Sequence, residues 1–162
     1  MKVALEPADQ PDVVALIAAL DAYQDSLYPP EARYALDLGA LSQPNVLFAV
    51  ARDAQGAAVG CGAVVLGGLP GADVGEVKRM YVAPAARGQG VAHQLMQLLE
   101  AAAQARACQT LKLETGPLQP EAIAFYRACG FSVCGAFGSY AEHPLSVFMG
   151  KALAPGLLPP KA

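Results

Sequence analysis

The residues best placed to do chemistry lie between Glu76 and Glu100, in the stretch EVKRMYVAPAARGQGVAHQLMQLLE. At its centre stands Arg87-Gly88-Gln89-Gly90-Val91-Ala92. Two glycines let the backbone turn tightly and approach a ligand closely, because neither carries a Cβ. The apolar residues Val91, Leu95, Leu98 and Leu99 follow at helical spacing, so a helix begins where the glycines end. Its first turn aims unpaired N–H groups and the positive end of the helix dipole into the loop. The chemistry this predicts is binding of an anion such as a diphosphate on backbone amides. A strand precedes the loop: Val77, Tyr81 and Val82 favour a pleat, and Pro84, which has no N–H for a ladder, ends it.

Three kinds of cradle share this outline. A P-loop requires Gly-Lys-Ser/Thr, and Gly90 is followed by Val91-Ala92. A dinucleotide fingerprint requires a third small residue where His93 stands, although Glu114 could mimic its acidic partner. The third is an R/Q-x-x-G-x-G/A loop, which Arg87-x-x-Gly90-x-Ala92 fits. A glycine-rich helix entry with no ligand is the remaining alternative.

Those residues need a scaffold, and 162 residues suffice for one domain with a proper core. With 54% hydrophobic and 15% charged residues the chain is globular rather than disordered. A net charge of −3 gives no electrostatic footprint for nucleic acid, and no apolar run reaches the length of a membrane span. Glu6 and Asp9 interrupt the apolar stretch that a signal peptide would need, so a cytoplasmic location is expected. Cys61, Cys108, Cys129 and Cys134 lack paired ligand spacing, which predicts buried small hydrophobes and no metal. A cysteine nucleophile would need a base nearby, and the two histidines give no sign of one in the sequence.

Taken in order, the pattern predicts a strand over 1–5, a helix over 12–23 and a break at the prolines Pro29 and Pro30. A short helix over 31–38 follows, so that 28–37 forms either a rigid connection or a substrate-side lid carrying Tyr28, Tyr34 and Asp37. Residues 45–52 and 57–66 read as a hairpin. Strict alternation in the next strand puts Glu76, Lys78 and Met80 on one face and Val77, Arg79 and Tyr81 on the other. Beyond the long helix come a strand at 109–114, a helix at 119–129 ended by Gly130, and strands at 131–134 and 145–149. The order β-α-α-β-β-β-α-β-α-β-β predicts an α/β fold: a mixed, mostly antiparallel twisted sheet with flanking helices. One domain should span 1–153, with a frayed Pro- and Gly-rich tail over 154–162.

Met80-Tyr81-Val82 and Ala83-Pro84 lead into the Arg87 loop. Downstream stand Leu113-Glu114-Thr115-Gly116, Ala122-Ile123-Ala124-Phe125-Tyr126 and Cys129-Gly130-Phe131. With these the chain resembles the GNAT superfamily of acyl-CoA N-acyltransferases from about residue 2 to residue 151. Pro144 to Met149, together with the Tyr-Pro-Pro-Glu segment at 28–31, is similar to a bacterial group of small GNAT proteins. The resemblance implies a V-shaped opening between the strands ending near Val82 and Glu114. Backbone groups of Met80 and Val82, with Tyr81 between them, would meet the pantetheine arm of acetyl-CoA. The diphosphate would rest on the amides of Arg87, Gly88, Gln89, Gly90, Val91 and Ala92. Gln119 stands where many members carry an Asn that bonds pantetheine.

The resemblance also implies an acid, Tyr126, for the departing thiolate, and a base, Glu76, by its position in the central strand. Glu114 is implied as a second base or as a partner of local amides. The expected partners are a CoA thioester and an amine substrate, which attacks directly in a ternary complex. A CoA-binding module without catalysis is the alternative. A homodimer is plausible for the family, with the apolar strand region 145–153 as the expected contact.

Overall fold

The computed structural model describes residues 1–32, 37–71 and 73–153. The chain runs β1 (Lys2–Leu5), α1 (Pro11–Leu27), a 3-10 turn (Pro30–Ala32), α2 (Leu38–Leu41), β2 (Val46–Arg52), β3 (Ala58–Leu66) and β4 (Val74–Val82). A 3-10 turn (Pro84–Ala86), α3 (Val91–Ala105), β5 (Thr110–Thr115), α4 (Pro120–Ala128), β6 (Ser132–Cys134) and β7 (Val147–Ala152) complete it. Among the described residues the strands form one sheet, ordered β1-β2-β3-β4-β5-β7-β6. Every neighbouring pair is antiparallel except β4 and β5. This is the mixed α/β fold that the order of elements predicts.

Helix α1 begins with Pro11 in its first turn, where the missing N–H is harmless. It outruns the expected end at residue 23, because no breaker intervenes before Pro29; Tyr28 N–H closes it on Gln24 O at 2.9 Å. Of the helix expected over 31–38, residues 33–36 lie outside the described residues, and Glu31 and Ala32 belong to the 3-10 turn. Its described end differs: Leu38 starts a helix, and Asp37 caps it by accepting from Ala40 N–H at 2.7 Å.

Helices cover both faces of the sheet. Val91, Leu95, Leu99 and Ala103 of α3 pack with Val64, Val77, Leu111, Leu113 and Met149 on one face. Val13 and Leu16 of α1 and Leu41 of α2 pack with Phe48, Val50, Cys61 and Ala63 on the other. Cys61 and Cys108 are buried in this packing, as small hydrophobes, whereas Cys129 and Cys134, expected to be buried too, are only half-buried. The apolar stretch at 145–153 is also accounted for within the chain. Strand β7 lies between β5 and β6, and Phe148, Met149 and Leu153 are buried, so their apolar character no longer points to a dimer contact.

Strand β4 departs from simple alternation. Cys61 pairs with Tyr81 and Ala63 with Lys78, leaving Gly62 opposite both Arg79 and Met80. This is a β-bulge, with Arg79 in the left-handed region at φ 60°. The extra residue reverses the facing of everything after it. Met80 and Val82 join Val77 on the α3 face, whereas Arg79 and Tyr81 share the α1 face with Glu76 and Lys78. The expected grouping of Met80 with Glu76, and of Arg79 and Tyr81 with Val77, is therefore corrected. Gly62 is required beside the bulge, because a Cβ there would run into the Met80 thioether.

Candidate active site

Strands β4 and β5 pair only from Val74–Thr110 to Glu76–Lys112. Beyond Glu76, β4 continues along β3 to Val82 while β5 continues along β7 to Thr115. The two parallel strands thus part, and the backbone of β4 from Val77 onward has no ladder partner on that side. A cleft opens there, lined by Glu76, Lys78, Arg79 and Met80 of β4 and by Glu114 and Thr115 of β5. Tyr126 and Ala122 of α4, Gln119 at its N-cap, and Leu20, Gln24 and Tyr28 of the α1 side complete the wall.

The glycine loop leaves the end of β4. Gly88 and Gly90 both have φ 77°, and Gly90 caps α3 with no side-chain bond. A Cβ built on either would meet nothing within 4 Å, so conformation rather than crowding demands glycine here. Arg87 braces the loop: its Nε donates to Val82 O at 2.9 Å and its guanidinium lies 5.6 Å from the Tyr81 ring centre. Open space therefore lies beside the entry to α3. Together with the unpaired edge of β4, this fits an extended, amide-rich ligand ending in a diphosphate.

Glu76 is only 8% exposed, which excludes a solvated carboxylate at a strand edge. Its Oε2 accepts from Tyr140 Oη at 2.6 Å and lies 3.3 Å from Lys78 Nζ. Lys78 Nζ in turn donates to Tyr140 Oη at 2.8 Å. Glu114 differs sharply. Burial pushes its carboxyl up to about 7, with the Glu76 charge adding to the rise while Ser146 and Lys78 pull partly back. The Ser146 hydroxyl stands near Glu114, but its buried Oγ completes no hydrogen bond of standard geometry among the described residues.

Tyr126 is buried on α4, tilted against Phe125 and edge-on to Phe131, and burial pushes its phenol up. Tyr28, 8% exposed, accepts from Leu118 N–H at 3.2 Å, and its ring covers Gly116 so closely that a Cβ there would strike it. Burial, opposed by that N–H and aided by Glu114, raises the Tyr28 phenol.

The expected site residues Glu76, Glu114, Tyr126, Met80, Gln119 and Tyr28 thus converge on one cleft. Asp37 does not join them, being the exposed cap of α2, and Tyr34 lies outside the described residues. Sequence reasoning missed Tyr140 and Ser146, which arrive on the β6–β7 connection and carry no spacing signal. It also gave no histidine near a cysteine, yet Cys129 Sγ lies 3.8 Å from His93 Nδ1. Burial and then the Glu100 charge raise that thiol, only partly offset by Lys151, and Cys129 does not line the cleft, so a nucleophilic role gains no support. Among the described residues no group of three His, Cys, Asp or Glu side chains could hold a metal ion, and no helix is long and apolar enough to cross a membrane.

A splayed pair of parallel strands, a glycine-bounded helix entry and a tyrosine on the following helix define an acyl-CoA-type transferase fold. The Acetyltransferase (GNAT) family matches residues 14–131, and the chain belongs to that family; it is an enzyme. It is 45% identical over 151 residues to the IAA acetyltransferase of Azospirillum brasilense, covering 93% of this chain and 97% of that protein. A Klebsiella pneumoniae structure assigned to the acyl-CoA N-acyltransferases superposes with TM-score 0.79 at 40% identity, covering 94% of this chain and 97% of the other. The fold is also that of a GNAT superfamily phosphinothricin acetyltransferase from Sinorhizobium meliloti in complex with acetyl-CoA, with TM-score 0.65, 24% identity, and coverage of 97% and 91%.

Proposed function

We propose that the enzyme transfers an acetyl group from acetyl-CoA to a primary amine of a small molecule, amino acid or peptide, by direct attack in a ternary complex. The observation that carries this reading is the meeting of Glu114 and Tyr126 in one cleft at the parting of β4 and β5. The amides of residues 88–92 would hold the diphosphate, the Arg87 N–H being turned to Pro84 O at 3.3 Å. The edge of β4 at Met80, Tyr81 and Val82, with Gln119, would face the pantetheine arm, although Val82 O is taken by Arg87. Bound acetyl-CoA supplies the thioester carbonyl.

An amine with a pKa of about 10.4 arrives protonated and attacks only once deprotonated. Glu114, poised at about 7, is both substantially ionised at neutral pH and basic enough to help take that proton. It is the stronger candidate for the base than Glu76, whose carboxylate is already occupied by Tyr140 and Lys78. As the C–N bond forms and the C–S bond breaks, Tyr126 donates a hydrogen bond to the departing thiolate. Its raised phenol keeps the proton on oxygen until that charge develops. Tyr28 would wall the acceptor side. All four cysteines are free thiols, in keeping with action in a reducing cytoplasm.

The test is release of free thiol from acetyl-CoA across a panel of amines, amino acids and short peptides, with IAA included because of the Azospirillum relative's name. Acceptor-dependent release with acetylated product is the expected result. Tight CoA binding with no release for any acceptor would make the protein a CoA-binding module instead.

A further inference from the structure

Two carboxyl groups, the buried Glu76 and the half-buried Glu114, face one cleft, and their surroundings are unequal. We propose that Tyr140, delivered by the β6–β7 connection, is the positioning residue that holds Glu76 and Lys78 in place beside Glu114 and so tunes the base. The inference rests on the assignment of Glu114 as that base.

The geometry gives Tyr140 this leverage. Its hydroxyl donates to Glu76 Oε2 at 2.6 Å while accepting from Lys78 Nζ at 2.8 Å, so it bridges the ammonium and the carboxylate. Direct contact between the ammonium and the same oxygen is longer, 3.3 Å. Two donors thus converge on Glu76, one of them cationic. The groups facing Glu114 are Glu76 and Lys78 from β4, Tyr28 from α1 and Ser146 from the end of the β6–β7 connection.

The connection is built to hold Tyr140 in place. The Tyr140 ring packs edge-on to Phe137 at 5.2 Å and tilted on Phe148 at 5.6 Å, and Phe137 lies edge-on to Phe148 at 5.5 Å. Phe148 is the β7 residue directly opposite Glu114. Loop, aromatic cluster and base are therefore coupled through a single cross-strand pair. Removing the hydroxyl while keeping the ring should leave this packing intact. It would take the best donor from Glu76 and an acceptor from Lys78. Both changes act alike on Glu114: the Glu76 carboxylate is no longer held in place, and the ammonium is freer to approach Glu114.

Ligand-free protein carrying carboxyl-labelled glutamate allows Glu114 to be titrated by NMR, with the resonance assigned by its loss in Glu114→Gln. Tyr140→Phe should lower the Glu114 midpoint by a fraction of a pH unit, because burial supplies most of the rise and the neighbouring charges the rest. Glu76→Gln should lower it too, and adding Tyr140→Phe to Glu76→Gln should then move it less than in the parent, since only the part that travels through Lys78 remains. An unmoved midpoint in Tyr140→Phe, or an undiminished shift in the Glu76→Gln background, overturns the proposal. Thiol-release rates against pH separate this from the catalytic reading. Glu114→Gln should abolish the acidic limb of the profile, and a limb that survives would remove Glu114 as base whatever the NMR midpoint does.

Discussion

At Glu114 the fold acts against its own charge, and the consequence can be measured without any substrate. The carboxyl rises from its ordinary 4.5 to about 7, chiefly through burial. A difference of that size is worth roughly 3 kcal/mol between the protonation states. Part of the side chain still meets solvent, so screening reduces the working figure to about 2 kcal/mol. The folded value lies above the unfolded one. The stabilisation is therefore full below about pH 4.5 and is lost as pH rises through about 7. Glu114→Gln keeps the shape and has no charge to bury. Relative to the parent it should gain stability between pH 5 and pH 8, by about 4–8 °C in melting temperature for a domain of this size. The assay is thermal melting of both proteins at the two pH values and equal ionic strength, because the titrations they share cancel in the difference. A variant-minus-parent difference identical at pH 5 and pH 8 would refute the argument that burial raises this carboxyl.

Gly90→Glu places a charged side chain at a φ of 77° in the mouth of the cradle. It should cost the fold about 1–3 kcal/mol and abolish the thermal stabilisation given by acetyl-CoA; an undiminished ligand shift would remove the loop from the binding site. Tyr126→Phe should leave acetyl-CoA binding and the melting temperature nearly unchanged while turnover falls, the sign of an interaction made mainly in the transition state. Near-parent turnover would make Tyr126 a packing residue. Gly116→Ala drives a methyl into the buried ring of Tyr28 and should destabilise by about 1–3 kcal/mol while disturbing the bond from Leu118. Unchanged melting would show that Tyr28 is free to move aside.

Much of the site was legible in the chain itself, because its chemistry is local. A strand ended by Pro84, two glycines and a helix with Val91, Leu95 and Leu99 on one stripe are contiguous, so residue types and spacing alone define the cradle. The same holds for α4, where Pro120 opens the helix, Gly130 follows its end and Tyr126 falls between. Order and kind of the elements followed from periodicity, and from them the mixed sheet. What the tertiary structure decided depends on pairings far apart in sequence. The bulge at Arg79 lies opposite Gly62, and one extra residue is enough to send Met80 to the other face. Whether Glu76 was exposed could not be told from its neighbours; Tyr140, 64 residues away, buries it and supplies its donor. Glu114 looked the weaker carboxyl by motif, and it is the one whose environment raises it. A pKa is set by the dielectric and the charges around a group, and those come from Ser146, Lys78 and Glu76, which only folding brings to it.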